Sequence, residues 1–291
     1  MHQFESASGL RLAADIGGEA SLAPVVLLHG GGQTRHSWGN VFSALVTAGY
    51  HVISYDARGH GDSDWDSRGD YTLDAMVADL HAVLCELPCA PILVGASMGG
   101  LTALTAAGEA QHDIARALVM VDVTPRINAQ GAQQIMAFMR DHADGFESIE
   151  AAAEAVANYL PHRKRPRDPS GLSRNLRQRE GRWFWHWDPQ LMPGSNQAIA
   201  HSQDRLEAAA RSLSMPTLLI RGDKSNIVTE QEATRFLELV PHAEYLAVHG
   251  AGHMVVGDRN DAFNRGILGF ISRTMPPQNR RDEERNRSCN E

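Results

Sequence analysis

The stretch Pro91-Ile92-Leu93-Val94-Gly95-Ala96-Ser97-Met98-Gly99-Gly100-Leu101 leaves this chain few folds to choose from. An apolar run of strand type passes, with no loop residues between, into a helix-like segment, and Ser97 stands on the corner. Such a corner holds its residue in strained backbone geometry, and a side chain at either flanking glycine, Gly95 or Gly99, would collide with neighbouring backbone. G-x-S-x-G between a strand and a helix is a nucleophile elbow. The helix N-terminus behind Ser97 adds partial positive charge and a free N–H at Met98, both suited to a developing oxyanion.

The surroundings repeat the same strand–helix rhythm. Apolar runs PVVLLHG, YHVISYD and PILVGAS alternate with amphipathic segments at 37–48 and 72–86, and a helix near 98–108 leads to ALVMVDV. Continuous apolar strands separated by helical patterns indicate an α/β protein whose parallel sheet is covered on both faces. The rhythm stops at Pro125. Up to about Arg211 no strand is expected, only helices near 132–141 and 149–160, a basic stretch PHRKRPRDP and the aromatic cluster GRWFWHWDP. It resumes with PTLLIRGD, a helix at 230–239, AEYLAVHG and a last helix near 260–273. The economical division is a core of residues 1–125 and 212–273, an all-helical insertion at 126–211, and a polar, disordered tail at 274–291.

Composition narrows the function classes. The 291 residues carry 27 Lys and Arg against 35 Asp and Glu, a formal net charge of −8, which argues against a nucleic-acid binder. Cys85, Cys89 and Cys289 form no metal-binding or disulfide pattern. No apolar run reaches the ~18 residues of a membrane span, and no signal-like segment opens the chain, so a cytoplasmic protein without a membrane partner is expected.

A serine hydroxyl needs a base, expected in a loop after the last strand. His253, in His249-Gly250-Ala251-Gly252-His253, fits that order. The glycines disfavour a helical His249/His253 metal pair, so no metal is expected. A second oxyanion donor is expected from Leu28-His29-Gly30-Gly31-Gly32, where glycines let a backbone N–H, that of Gly31, approach a carbonyl. This glycine run matches no phosphate-binding pattern.

Taken together, HGGG, DARGHGDSD, GASMGG and GAGH, in this order over roughly residues 1–273, resemble the α/β-hydrolase fold family of serine hydrolases. The resemblance implies a mostly parallel eight-stranded sheet with a helical cap inserted after strand six. It extends to members named as epoxide hydrolases or non-haem peroxidases, although epoxide hydrolases and dehalogenases of this fold use an aspartate where this chain has Ser97. In the family the triad acid usually follows strand seven in a GxxDxxV pattern. Here Gly222-Asp223-Lys224-Ser225-Asn226-Ile227-Val228 places Ser225 at that position. Asp223 lies two residues early, a displacement of roughly 6–7 Å along an extended chain. A related arrangement takes the acid from the end of strand six, where Asp122 follows a wholly apolar run. Asp122 is preferred as the acid, with Asp223 the alternative and a structural cap the competing role for Asp122.

Asp56 and Arg58 of the DARGHGDSD loop are read as loop organisers. Trp183, Trp185 and Trp187 are candidates for the pocket ceiling. Residues 162–165 and Arg167 are read as a solvated basic face. The expected activity is cofactor-independent hydrolysis of a small or medium carboxylic ester or lactone through an acyl-enzyme. A perhydrolase or non-haem peroxidase, a carbon–carbon bond hydrolase, and a ligand receptor on the same scaffold are the alternatives.

Overall fold

A computed structural model describes residues 1–142, 144–159, 169–191, 195–253, 256 and 261–277. Eight strands form one sheet: β1 (His2–Glu5), β2 (Arg11–Gly17), β3 (Pro24–Leu28), β4 (His51–Tyr55), β5 (Ile92–Ala96), β6 (Ala117–Val121), β9 (Thr217–Gly222) and β10 (Glu244–Val248). Their spatial order is β1-β2-β4-β3-β5-β6-β9-β10, with β2 antiparallel to both neighbours and every pairing from β4 to β10 parallel. This is the mostly parallel eight-stranded α/β sheet that the motifs imply.

The apolar runs are continuous because both sheet faces are covered. In β3, Val25 and Leu27 enter one buried cluster while Val26 and Leu28 enter the other, as the two-residue side-chain period requires. One face packs against α1 (Gly39–Thr47) and α8 (Asp261–Thr274), through residues such as Val41, Leu45, Phe263 and Ile267. The opposite face carries α2 (Leu73–Cys85), α3 (Met98–Glu109) and α7 (Glu230–Leu239).

Between β6 and β9 the chain leaves the sheet. It forms α4 (Ala129–Arg140), α5 (Ile149–Tyr159) and α6 (Ser195–Arg211), and it also forms a two-stranded antiparallel hairpin, β7 (Leu176–Arg179) with β8 (Arg182–Trp185). The expectation of an all-helical insertion is corrected on this point. Glu180 and Gly181 both take positive φ, 50° and 78°, which is the conformation of a two-residue type I′ turn. The aromatic run after it has high strand propensity. α6 departs from the expected boundary as well, because its second half returns to the core. Leu206, Ala209 and Ala210 are buried in the cluster beneath the sheet, and a Cβ on Gly108 of α3 would lie 2.2 Å from the Ala209 carbonyl oxygen. The basic residues 162–165 and 167 lie outside the described residues, as does the tail from 278 onward, whereas the expected disordered start at 274 is corrected, since Thr274 ends α8 and Met275 is buried with its carbonyl accepting the Tyr50 hydroxyl at 2.8 Å. Among the described residues no helix is long and apolar enough to cross a membrane.

Candidate active site

Three adjacent parallel strands deliver their carboxyl ends to one place. Ser97 follows β5 with φ 48° and ψ −117°, Asp122 follows β6 with φ 49°, and the turn 222–225 follows β9. Conformations of this kind cost about 1–3 kcal/mol each and persist only where their surroundings over-determine them. At Ser97 that determination is visible. Its N–H donates to the Val121 carbonyl across the strand pair at 3.1 Å, and the Gly99 N–H donates to the His29 carbonyl at 3.2 Å. A Cβ on Gly95 would lie 2.5 Å from the Gly99 oxygen, and one on Gly99 would lie 2.5 Å from the Leu28 oxygen. Neither glycine tolerates a side chain.

Asp122 is 1% exposed, and its carboxylate oxygens have three protein donors. Oδ1 accepts the Gly222 N–H at 3.0 Å. Oδ2 accepts the Ser225 hydroxyl at 2.5 Å and stands 2.7 Å from His253 Nδ1. That contact fixes the His253 tautomer, with hydrogen on Nδ1 and a basic lone pair on Nε2. Asp223 points elsewhere, accepting the Gly250 N–H at 2.8 Å and contacting His249 Nδ1 at 2.7 Å. The two candidate carboxylates therefore divide the two histidines of the GAGH loop, Asp122 holding His253 and Asp223 holding His249. Ser225, at the position where the family usually keeps its acid, also accepts the N–H groups of Ile227 and Val228 at 3.2 Å each.

Ser97 and His253 line the same cavity, of about 360 Å³, together with Gly31 and Met98. The glycine loop beneath it is pinned on both sides of Gly31. Gly30 N–H donates to Gln33 Oε1 at 3.0 Å and Gly32 N–H donates to His60 Nε2 at 3.1 Å. Among the described residues, no protein acceptor meets the Gly31 or Met98 N–H. Asp56 has the organising role expected of its loop, accepting the N–H groups of Arg35 and Asp62 at 2.7 and 2.9 Å and pairing with the Arg35 guanidinium. Arg58 forms a buried bidentate pair with Asp79 at 2.6 and 2.7 Å.

The aromatic cluster divides. Trp185 and Trp187 line the cavity, stacked at 4.9 Å with an interplanar angle of 11°. Trp183 does not line it, which corrects its expected place in the ceiling. It shares the face of Trp185 but lies one pleat repeat nearer the hairpin turn, where its backbone bridges Phe146.

Sequence reasoning did not single out a ladder of three buried histidines beside the cavity. The His29 and His60 rings are 5.1 Å apart, and those of His60 and His186 are 5.8 Å apart. Each imidazole uses one nitrogen as acceptor and the other as donor. His29 accepts from Ala57 N–H and donates to the Gly30 carbonyl. His60 accepts from Gly32 N–H and donates to the Arg58 carbonyl. His186 accepts from Gly61 N–H at 2.8 Å, with its other nitrogen 3.3 Å from the Gly32 carbonyl. A second proton on any ring would face an N–H donor. Burial lowers all three, His60 to about 3, aided by the neighbouring imidazole. The sequence clue was a lone imidazole, His186, inside WFWHW. The ladder ties the glycine loop, the 56–63 loop and the inserted segment together.

Among the described residues no three His, Cys, Asp or Glu side chains are grouped as metal ligands. The arrangement is a hydroxyl on a strained corner, an imidazole oriented by a buried carboxylate, and two lining residues, Gly31 and Met98, whose backbone N–H groups meet no protein acceptor among the described residues. It has the parts for acyl transfer.

Comparison with known proteins identifies the family of the fold. The alpha/beta hydrolase fold family model matches residues 23–259. Esterase Rv0045c of Mycobacterium tuberculosis is 32% identical over 256 residues, covering 85% of this chain and 82% of the relative. The sn-1-specific diacylglycerol lipase ABHD11 of Mus musculus is 28% identical, over 88% and 83%. The crystal structure of E-2-(acetamidomethylene)succinate hydrolase superposes with a TM-score of 0.81 at 22% identity, over 93% of this chain and 98% of that one. With its sheet order, its strained serine corner and a family match across most of its length, the chain belongs to the α/β-hydrolase fold family.

Proposed function

We propose that the protein is a cofactor-independent serine hydrolase that cleaves a carboxylic ester or lactone through an acyl-enzyme. His253 Nε2 takes the Ser97 proton as Oγ attacks the carbonyl carbon. The negative charge that develops on the carbonyl oxygen is received by the Gly31 and Met98 N–H groups, with the α3 N-terminus behind them. His253 then protonates the leaving alkoxide, and water deprotonated by the same imidazole releases the acid. Asp122 holds the imidazole in its working tautomer and stabilises the imidazolium. The segment between β6 and β9 acts as a cap, with Trp185 and Trp187 over the acyl site.

The contact between His253 and the buried Asp122, beside the cavity that contains Ser97, carries this reading. Relatives named as an esterase and a diacylglycerol lipase support ester chemistry over the other reactions of the fold. Stopped-flow hydrolysis of p-nitrophenyl butyrate tests it. The wild type gives a burst approaching one equivalent of nitrophenol, and Ser97→Ala, shown to be folded by circular dichroism, gives none. Equal turnover by the two proteins would exclude Ser97 as the nucleophile.

A further inference from the structure

The cavity above Ser97 differs from an all-purpose ester site in one respect. Among the described residues, no Asp, Glu, Lys or Arg side chain lines it. Its walls are mostly hydrocarbon and thioether, with Ile135, Phe138 and Met139 from the α4 side, and Leu206 and Ile227 from the core, while Gln33, Tyr71, Thr72 and Asn175 add uncharged polar groups. Arginines beside the lining segments on the core side are held by carboxylates, and Arg140, after Met139, is exposed and donates to the Met136 carbonyl. Arg35 is paired with Asp56 and Asp62, Arg58 with Asp79, and Arg126 with Glu207. A carboxylated acyl chain would leave water and meet no counter-charge among these residues, a transfer that costs several kcal/mol per ion even after relaxation. A methyl-terminated chain would gain apolar contact along most of its length without leaving a charge unpaired.

Resting on the serine-hydrolase reading, we propose that Ser97 takes an uncharged, apolar acyl group of medium length, about eight carbons. The length follows from volume. A cavity of 360 Å³ holds about twelve non-hydrogen atoms at ~30 Å³ each. The carboxyl ester and the first alcohol atom occupy four of these positions, leaving about eight for the chain. Ala132 of α4 also lines the cavity, so a larger side chain there shortens the space available.

The test is kcat/KM for p-nitrophenyl esters from acetate to tetradecanoate, with Ser97→Ala as control throughout. Alongside stand p-nitrophenyl octanoate and the mono-p-nitrophenyl ester of octanedioic acid, which differ at the chain end by methyl against carboxylate. Each added methylene raises kcat/KM by up to about fourfold, the equivalent of ~0.8 kcal/mol per buried CH₂ at 1.36 kcal/mol per tenfold. The rise ends near eight carbons, activity falls by twelve, and the octanedioate ester is slower than octanoate by about a hundredfold or more. Ala132→Phe adds six ring carbons, about half the cavity at ~30 Å³ each, which leaves about two of the eight chain positions and moves the optimum to about two or three carbons. Ser97-dependent turnover that is highest for acetate, that keeps rising to tetradecanoate, or that is as fast for the octanedioate ester overturns the proposal and leaves the serine hydrolase intact. An optimum unmoved by Ala132→Phe overturns the assignment of this cavity to the acyl chain. Absence of Ser97-dependent turnover on every ester overturns both.

Discussion

The histidine ladder makes the fold sensitive to mild acid, and the effect can be worked from His60 alone. Its folded pKa is about 3, because burial and the neighbouring imidazole both disfavour a second proton. In the unfolded chain a histidine titrates near ~6.5. The unfolded state therefore binds more protons between these values. The stability that His60 contributes as a neutral group is complete above about pH 6.5 and is lost as pH falls toward 3. At pH 5, which is above the folded value, the loss is 1.5 pH units at 1.36 kcal/mol each, or about 2 kcal/mol. That is a large share of the 5–15 kcal/mol typical of a whole domain. His29 and His186 are lowered in the same direction and add to it. Carboxylates with depressed pKa, such as Glu207 at about 2, where Arg235 and Arg126 overcome burial, lose their contribution only below about pH 4.5, so they do not contribute to the slope between 6.5 and 5. Urea unfolding monitored by tryptophan fluorescence at pH 7.5, 6.0 and 5.0 measures the slope. His60→Gln, which keeps a neutral donor and acceptor, flattens it by up to one proton, recovering about 2 kcal/mol of the loss at pH 5. Parallel wild-type and His60→Gln curves, or an NMR titration showing His60 protonated in the native state at pH 5, would refute the reasoning.

Other consequences follow from single contacts. Asp122→Asn lowers kcat by up to about 10⁴-fold, as loss of the carboxylate does in a serine-protease triad, whereas Asp223→Asn, which loses only the His249 and Gly250 contacts, stays within about tenfold of wild type; steady-state kinetics on butyrate esters separates them. Ser225→Ala strands two buried N–H groups and removes a donor from Asp122, costing about 1–3 kcal/mol in urea unfolding, while Ser225→Thr retains most of it. Gly99→Ala places a methyl 2.5 Å from the Leu28 oxygen, so it abolishes turnover and lowers the melting temperature, read by calorimetry.

The sheet was legible because its central strands are buried on both faces and so carry unbroken apolar runs. β1 and β2 lacked that signature, since β1 is exposed at three of its four residues and pairs antiparallel at the sheet edge. The hairpin went unread because its turn is Glu180-Gly181, not Asn-Gly or Asp-Gly, although Gly181 between RNLRQRE and RWFW was a usable sign. Spacing alone could not pair two aspartates with two histidines four residues apart. That pairing depends on how the turn after β9 faces the loop after β10, a relation among strands far apart in sequence.

Ser97 and Asp122 belong to one strand–helix–strand unit, and their strands pair directly, Ala96 opposite Val121. His253 arrives 131 residues after Asp122, on the loop following β10, which reaches the centre only through β9. During synthesis, with N-terminal parts folding first, the serine and the acid are assembled well before any base can reach them. On the proposed mechanism, the hydroxyl is an ordinary alcohol until the last two strands dock. Turnover thereby reports completed folding, and a chain stalled on the way carries no reactive serine with which to acylate itself or its neighbours.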